Sequence, residues 1–382
     1  MRIVPLLLAL LFLPACAVRP AEVRVGFDAT RITSASARGV ADRATGRRVT
    51  PDDPVRVASV SKLVVAMGVM RLVEAGTLDL DRDVSTWLGW SLRNPAHPDA
   101  PITLRHLLSH TSGLRDGVQY WIPLGGSVRA ALADPKAWDP AHPPGRFFTY
   151  SNLGFPVIGS VIEKATGARF DAAMARHVFR PLKLDACFNW PECSDAKVAR
   201  HVVLYDAKGP VWHDDLKGKR PECPTFTRGG CDLSAYVLGD NGALFSPQGG
   251  MRISMRDLAR FGQILLKEGD GFLTPQSIAT ITTPLWTFDG QNGATEKGFY
   301  CSYGLATEIL STPQAGCRDD LFGDGVRRVG HAGEAYGLRS GLWVDRTTGR
   351  GVAFFTSAVP DDMSDGQHSA FTAPEERLAR GK

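Results

Sequence analysis

The stretch from Leu63 to Val73 constrains the fold of this chain most, because nearly every residue in it is apolar. A helix that is apolar on all sides offers no face to water and is therefore buried in the protein interior. Gly76 follows it, and glycine is a common helix terminator. The chain has 382 residues, 43% of them hydrophobic, which is enough to form a large core around such a helix. We expect one large domain or two smaller ones, with this helix at the centre.

A serine and a lysine, Ser59 and Lys62, stand at the start of this helix. Residues i and i+3 share a helix face, so we expect the hydroxyl and the amine to lie side by side. Burial lowers the pKa of a lysine and lets it accept the proton of a serine nucleophile. The free N–H groups of a helix N-terminus also stabilise a developing oxyanion. Ser194 and Lys197 repeat the same spacing, so the first pair indicates catalysis only together with partners from elsewhere.

Strand-like patterns occur at both ends of the chain, and helical patterns occur between them. Residues 23–57 and 337–357 read as strands with turn residues between the apolar runs. This order favours an α+β fold, in which an antiparallel sheet is flanked by helices. We expect the sheet part to comprise about residues 23–80 and 245–382. A mainly helical subdomain, about residues 81–244, is then inserted between its two halves.

Local signals predict further helices and one long loop region. Thr103 and Ser254 are candidate N-caps of two helices, and residues 373–380 are predicted to form a last short helix. Residues 186–240 hold four cysteines and show little periodicity. We predict a stapled loop region there, which is a candidate lid.

The N-terminus is typical of a secretory signal peptide, with Arg2 ahead of an apolar segment at residues 3–13. The following Leu-Pro-Ala-Cys resembles a bacterial lipobox, in which residues before Cys16 are removed and Cys16 is lipidated. Cleavage after Ala17 fits as well. We therefore expect a chain exported to the bacterial periplasm or cell envelope, with a lipid anchor at Cys16 as its one possible membrane contact. The mature domain is expected to span residues 23–382.

The cysteines after position 16 are predicted to form disulfides, because export exposes them to an oxidising environment. They are six in number and allow fifteen pairings, but they fall into three close pairs, and short loops close at the least entropic cost. Free thiols are the alternative, and zinc is disfavoured because no C-x-x-C pattern occurs and no H-x-x-x-H pair lies near these cysteines in the sequence. The predicted disulfides are Cys187–Cys193, Cys223–Cys231 and Cys301–Cys317.

Charge argues against one class of partner. The net charge is +4, with acidic and basic residues mixed along the chain, which is too small to indicate a nucleic-acid partner. No internal run is long and apolar enough to span a membrane. A small molecule or a peptide is the expected partner, and the oligomeric state stays open.

A Ser-Lys nucleophile also needs a proton shuttle and ligands for the substrate carbonyl. The sequence Tyr-Ser-Asn at residues 150–152 offers both. The phenol of Tyr150 can act as an acid or a base near cations. The amide of Asn152 can bind a substrate carbonyl while touching Lys62.

The sequence His-Ala-Gly-Glu at residues 331–334 precedes a predicted strand. Small residues such as Gly333 let a substrate backbone lie along the edge of a sheet, as in strand addition. His331 is a candidate ligand for a substrate carboxylate or an aid to proton transfer.

Taken jointly and in this order, these motifs resemble the serine β-lactamase and penicillin-binding superfamily. The resemblance is closest to its class C-like branch, which includes DD-peptidases and esterases, and it extends from about residue 36 to residue 357. It implies a β-lactamase/transpeptidase-like fold. The segments that carry it are Arg56–Lys62, Leu107–Leu114, Tyr150–Gly154, Gly249-Gly250 and Gly330–Gly333.

The resemblance implies a role for each matching residue. Ser59 resembles the acylated nucleophile, Lys62 its base partner and Tyr150 the proton shuttle. Asn152 resembles the ligand of the substrate amide. Backbone N–H groups of Ser59 and Glu334 would form the oxyanion hole. The family uses no metal and no organic cofactor, so none is expected.

The motif at residues 331–334 departs from the class C β-lactamases, which usually carry Lys-Thr-Gly there. A histidine in place of the lysine is more typical of DD-peptidases and related peptidases or esterases. Glu334 replaces a small hydroxyl residue. Its charge is expected to disfavour a carboxylate-bearing substrate, such as a penicillin or a D-Ala terminus, unless Arg339 or Arg328 offsets it.

These observations imply an exported serine hydrolase that forms an acyl-enzyme on Ser59. The substrate would be an amide or an ester, such as a D-Ala-D-Ala-type peptide or a small ester. Two alternatives remain, namely a β-lactamase and a penicillin-binding sensor that is acylated without turnover. No Gly-x-Ser-x-Gly elbow and no His-x-His pair occurs, which disfavours an α/β-hydrolase and a metallo-β-lactamase.

Overall fold

The computed structural model describes residues 20–225 and 231–382. The predicted signal peptide, residues 1–16, and the processing at Cys16 lie outside the described residues. The strands, in chain order, are β1 (Glu22–Asp28), β2 (Ile32–Arg38), β3 (Val40–Asp42), β4 (Arg47–Arg48), β5 (Val55–Arg56), β6 (Cys187–Phe188), β7 (Leu204–Tyr205), β8 (Val211–His213), β9 (Met251–Ile253), β10 (Trp286–Thr287), β11 (Ser302–Tyr303), β12 (Glu308–Leu310), β13 (Arg328–Ala335), β14 (Leu338–Asp345) and β15 (Arg350–Thr356).

Helices cover the sheet and are the main regular elements in the middle of the chain, where loops and short strands connect them. A π-helical turn, Ala175–Phe179, directly follows the sixth helix. The α-helices are α1 (Val60–Glu74), α2 (Ser85–Leu88), α3 (Leu104–Leu108), α4 (Val128–Ala131), α5 (Gly154–Thr166), α6 (Phe170–Met174), α7 (Asp195–Ala199), α8 (Met255–Leu266), α9 (Pro275–Thr282) and α10 (Ala373–Arg380).

The central sheet has eight antiparallel strands in the spatial order β10-β11-β12-β13-β14-β15-β1-β2. β1, from the start of the chain, pairs with β15 near its end, so that Val25 lies opposite Ala353. The predicted α+β fold, with an antiparallel sheet flanked by helices, is confirmed.

Different helices cover the two faces of this sheet. α8 packs against β1, β14 and β15 on one face. It approaches so closely that a Cβ on Gly262 would lie 2.2 Å from the Phe27 ring. α10 covers the other face, where Leu378 packs in a second core cluster with Trp343 and Phe354. Helices on both faces explain why β15 carries an uninterrupted apolar run.

α1 is buried as its apolar sequence predicts. Every residue from Val60 to Met70 is buried, and the helix packs against β13 and β14. Gly76 ends it with a φ of 70°, a left-handed conformation that glycine adopts without strain.

The predicted caps are also confirmed. The Thr103 side chain accepts a hydrogen bond from the His106 N–H at 3.2 Å and begins α3. The Ser254 side chain accepts one from the Asp257 N–H at 3.1 Å and begins α8.

The region from 186 to 240 contains only short elements in its described part, and all three predicted disulfides are confirmed. Two of them staple this region and the third joins two loops beside the sheet. None of the helices in residues 20–225 and 231–382 has the length and apolarity that a membrane span requires. The disulfides are Cys187–Cys193, Cys223–Cys231 and Cys301–Cys317.

Candidate active site

Ser59 lies at the N-terminal end of α1, directly after a strained turn. β5 carries the chain to Arg56, and Ala58 then adopts a left-handed conformation with a φ of 45°. This conformation costs a non-glycine residue about 1–2 kcal/mol and is typical of functional sites. The turn redirects the chain from strand to helix and places Ser59 on the wall of an open cleft.

Lys62 is fully buried beneath Ser59 and is surrounded by oxygen atoms. Its amine lies 2.9 Å from Ser59 Oγ, 2.8 Å from Asn152 Oδ1 and 2.8 Å from the Gln248 carbonyl oxygen. Burial lowers the pKa of Lys62 from 10.5 to about 7, against the opposing effect of nearby carboxylates. A large fraction of the amine is therefore neutral near pH 7 and able to accept the Ser59 proton.

Tyr150 packs against the same two side chains. Its ring stacks on Tyr300 with centroids 4.5 Å apart, and the Lys62 amine lies 4.9 Å from the Tyr150 ring centroid. Burial raises the pKa of Tyr150 well above 10, an effect that the neighbouring Ser59 and Tyr300 hydroxyls partly oppose. The phenol is therefore protonated in the resting site and available as a proton donor.

Asp116 fixes the loop that carries Tyr150 and Asn152. Its carboxylate accepts hydrogen bonds from Ser151 Oγ, from Asn152 N and Nδ2, and from Leu153 N, at 2.9 to 3.0 Å. Because Asp116 holds the Asn152 Nδ2 group, Asn152 Oδ1 is directed at Lys62. Sequence reasoning missed Asp116, since a lone aspartate in a loop carries no local signature.

Gly333 brings β13 against the backbone of the nucleophile. A Cβ on Gly333 would lie 2.4 Å from the Val57 carbonyl oxygen and 3.2 Å from Ser59 N. Ser340 Oγ on β14 donates a hydrogen bond to the same Val57 oxygen at 2.9 Å. This close approach requires a glycine and places the strand beside Ser59, as expected for a strand that contacts the substrate.

His331 does not have the expected position. Its side chain is fully buried, it does not line the cleft, and both ring nitrogens are engaged. Nε2 lies 2.7 Å from Tyr303 Oη, and Nδ1 lies 2.6 Å from the Ala332 carbonyl oxygen and 3.0 Å from Glu308 Oε1. Direct binding of a substrate carboxylate by His331 does not fit this placement, because no ring nitrogen faces the cleft. The ring instead orders Tyr303 and Glu308 behind the site.

Glu334 lines the cleft and forms an ion pair with Arg339 on the neighbouring strand. Arg328, the other cation considered for this role, pairs with Asp324 instead. The Glu334 side chain remains 61% exposed, so its carboxylate still faces any substrate that enters. Among the described residues, no group of three or more acidic, histidine or cysteine side chains is placed to hold a metal ion.

The fold and the site together define a serine hydrolase. An antiparallel sheet and a buried helix position Ser59 and Lys62 beside Tyr150. The family model described as Beta-lactamase matches residues 23–374, and the chain belongs to this family.

Curated relatives of this chain carry different names. The chain is 30% identical to Esterase EstB of Burkholderia gladioli over 350 residues, which cover 86% of this chain and 83% of that relative. It is 34% identical to Penicillin-binding protein 4 of Amycolatopsis lactamdurans over 236 residues, which cover 61% of this chain and 56% of that relative.

Solved structures share the fold at lower identity. The hydrolase EstCE1, described as having promiscuous acyltransferase activity, superposes with a TM-score of 0.69 at 21% identity and covers 95% of this chain and 93% of that one. The D-amino acid amidase of Ochrobactrum anthropi SV3 gives a TM-score of 0.67 at 20% identity, with 95% and 92% covered.

We predict that activity depends on the neutral form of Lys62. Below the Lys62 pKa of about 7, kcat/KM is expected to fall about tenfold per pH unit, because the charged amine cannot accept the Ser59 proton. The pH profile of kcat/KM measures this, with Lys62→Met as the variant that removes the base. An acid limb retained unchanged in Lys62→Met would contradict the assignment.

We predict that Asp116→Asn lowers kcat about 10- to 100-fold, because an amide cannot accept all the hydrogen bonds that orient Asn152. The Asp116 charge also raises the pKa of Lys62, so its removal should shift the acid limb of the profile to lower pH. Asp134→Asn, an exposed turn-capping carboxylate that does not line the cleft, is the matched control. A lower kcat without a shifted limb would mean that Asp116 has a structural role alone.

Proposed function

We propose that this chain is an exported serine hydrolase that forms an acyl-enzyme on Ser59 and hydrolyses small, uncharged esters. The observation that carries the proposal is the buried Lys62 amine, which lies 2.9 Å from Ser59 Oγ and has a pKa of about 7. A lysine tuned in this way activates a serine at neutral pH without a histidine.

The reaction follows from the positions of the side chains. Neutral Lys62 takes the proton of Ser59 as Oγ attacks the substrate carbonyl carbon. The oxyanion that forms lies at the N-terminus of α1, within reach of the Ser59 N–H and the strand that carries Glu334. Tyr150 gives its proton to the departing alcohol oxygen, and Lys62 returns a proton to Tyr150. A water molecule then attacks the acyl-enzyme by the same route in reverse and releases the acid.

The charge of the cleft supports an uncharged substrate. Acidic side chains on its walls outnumber basic ones, so a substrate carboxylate gains little and meets repulsion. Arg339 offsets part of the Glu334 charge, but the Glu334 carboxylate remains exposed in the cleft, and Arg339 is not free to bind a substrate carboxylate. The acidic lining residues are Asp116, Asp214, Asp215, Glu296, Glu334, Asp361, Asp365 and Glu375, against Arg56, Arg252, Lys297 and Arg339.

Similarity to a named esterase over most of both chains also supports ester hydrolysis. Similarity to penicillin-binding proteins keeps D-Ala-D-Ala-type peptides as an alternative substrate class, and a β-lactamase or a non-hydrolysing penicillin sensor as alternative functions. The buried, protonated Tyr150 argues against a sensor, because deacylation has its proton shuttle.

Three disulfides fit a protein that acts outside the cytoplasm. We extend this to the bacterial periplasm or cell envelope, on the basis of the apolar N-terminal segment and the lipobox-like sequence at Cys16.

We predict that Ser59→Ala abolishes hydrolysis of a nitrophenyl ester, whereas Glu334→Ser increases the rate of acylation by a fluorescent penicillin about tenfold. Replacing Glu334 by serine removes a repulsive carboxylate and frees Arg339 to bind the penicillin carboxylate. Steady-state ester turnover and gel fluorescence measure the two effects. Glu192→Ser breaks a comparable pair with Arg180 away from the cleft and serves as control. Ester turnover retained in Ser59→Ala would refute the function.

We predict that the mature protein, expressed in its native host, begins at Cys16 and carries lipid. Intact-mass analysis of the membrane fraction should give residues 16–382 plus a diacylglycerol group. Cys16→Ser should transfer the protein to the soluble fraction. A mature chain that begins at Val18 without lipid would instead establish cleavage after Ala17, and a chain that retains Met1 would contradict export.

A further inference from the structure

Two tryptophans are exposed at the cleft, although the other tryptophans are wholly or partly buried. Of the eight tryptophans in the chain, only Trp121 and Trp212 are more than a third exposed, at 46% and 39%. Both line the same cleft as Ser59. Large apolar side chains left in water inside a cleft are typical of a surface that a ligand covers.

The two tryptophans come from separate segments, and the second is held firmly. Trp212 lies on β8, which pairs with β7. The next residues anchor this hairpin in the core, because the buried Asp214 accepts a hydrogen bond from Arg252 at 2.8 Å. The indole of Trp212 is therefore presented by a fixed element rather than by a free loop.

Tyr336 connects this hairpin to the strand beside the nucleophile. It has a left-handed φ of 54° at the turn between β13 and β14. Its ring lies 4.2 Å from the His213 ring and 6.1 Å from the Trp212 ring, and the Arg56 guanidinium lies 5.2 Å above it. A strained, non-glycine turn residue in a cleft is a typical functional feature. Trp212 and Tyr336 together are called the aromatic wall below.

β13 sets the order of features along the cleft. His331, toward its start, lies 6.3 Å from the Tyr150 ring, Gly333 lies against Ser59 N, and Tyr336 follows the end of the strand. From His331 to Ala335 the strand spans about 13 Å. Tyr150 and the aromatic wall are therefore at opposite ends, with Ser59 between them.

This order assigns the two halves of a substrate. The leaving group must lie at the Tyr150 end, because Tyr150 supplies its proton. The acyl group stays on Ser59 and extends toward the other end. We infer that the aromatic wall is an acyl-group site that selects substrates with an aromatic or similarly large apolar acyl part. This inference rests on the proposed function for its reaction and goes beyond it by naming the substrate class.

Two isomeric esters test the inference, since methyl phenylacetate carries its ring on the acyl side and benzyl acetate carries it on the alcohol side. The wild-type protein should prefer methyl phenylacetate. Trp212→Ala should lower the ratio of the two kcat/KM values about tenfold, the effect of losing one good aromatic contact. Leu285→Ala removes an equally exposed apolar side chain outside the cleft and should leave the ratio unchanged. A ratio unchanged in Trp212→Ala would overturn the inference.

A binding measurement separates this inference from the proposed function. Calorimetric titration of Ser59→Ala with methyl phenylacetate measures binding without reaction, and Trp212→Ala added to that variant should weaken binding about tenfold. If the wild-type protein hydrolyses neither ester while this weakening is observed, the proposed function fails and the acyl-group site stands. If Ser59→Ala binds methyl phenylacetate equally well with and without Trp212→Ala, or if neither protein binds it, the inference of an acyl-group site is wrong. This holds whatever the protein hydrolyses.

Discussion

The removal of the Lys62 amine from water is the physical constraint on which the rest of the site depends. A pKa lowered from 10.5 to about 7 corresponds to roughly 4 kcal/mol of folding free energy lost at pH 7. The core that surrounds α1 must offset this, which explains why a helix with a catalytic lysine is apolar on every other side. Three oxygen atoms lie within hydrogen-bond distance of the amine. Its N–H groups therefore have hydrogen-bond partners although the amine is buried away from water.

Much of the fold follows from local sequence, because each element carries its own signal. The apolar run predicts a buried α1, Thr103 and Ser254 predict the starts of α3 and α8, and short loops predict the three disulfides. The uninterrupted apolar run in β15 is typical of a strand covered on both faces, as this one is by α8 and α10. These features depend on the period of apolar residues, on caps and on loop length. Each of these signals is contained in a segment of about twenty residues or fewer.

The parts of the site that could not be predicted depend on contacts between distant segments. Asp116 holds the loop of Asn152 from 36 residues away, and nothing near it in the sequence distinguishes it from any surface aspartate. His331 lies in the expected motif but is turned away from the cleft, because Glu308 and Tyr303 occupy its ring nitrogens. The motif identifies the strand, whereas only packing decides which side chains of that strand face the cleft.

The contact between Ser340 and the carbonyl oxygen of Val57, two residues before the nucleophile, joins residues 283 positions apart. The ribosome makes Ser59 early, but β13 and β14 are among the last elements to appear. Pairings of such long sequence separation form slowly and late. The nascent chain therefore carries a serine that lacks its strand for nearly the whole of synthesis. The site is therefore complete only after the C-terminal strands have docked beside Ser59.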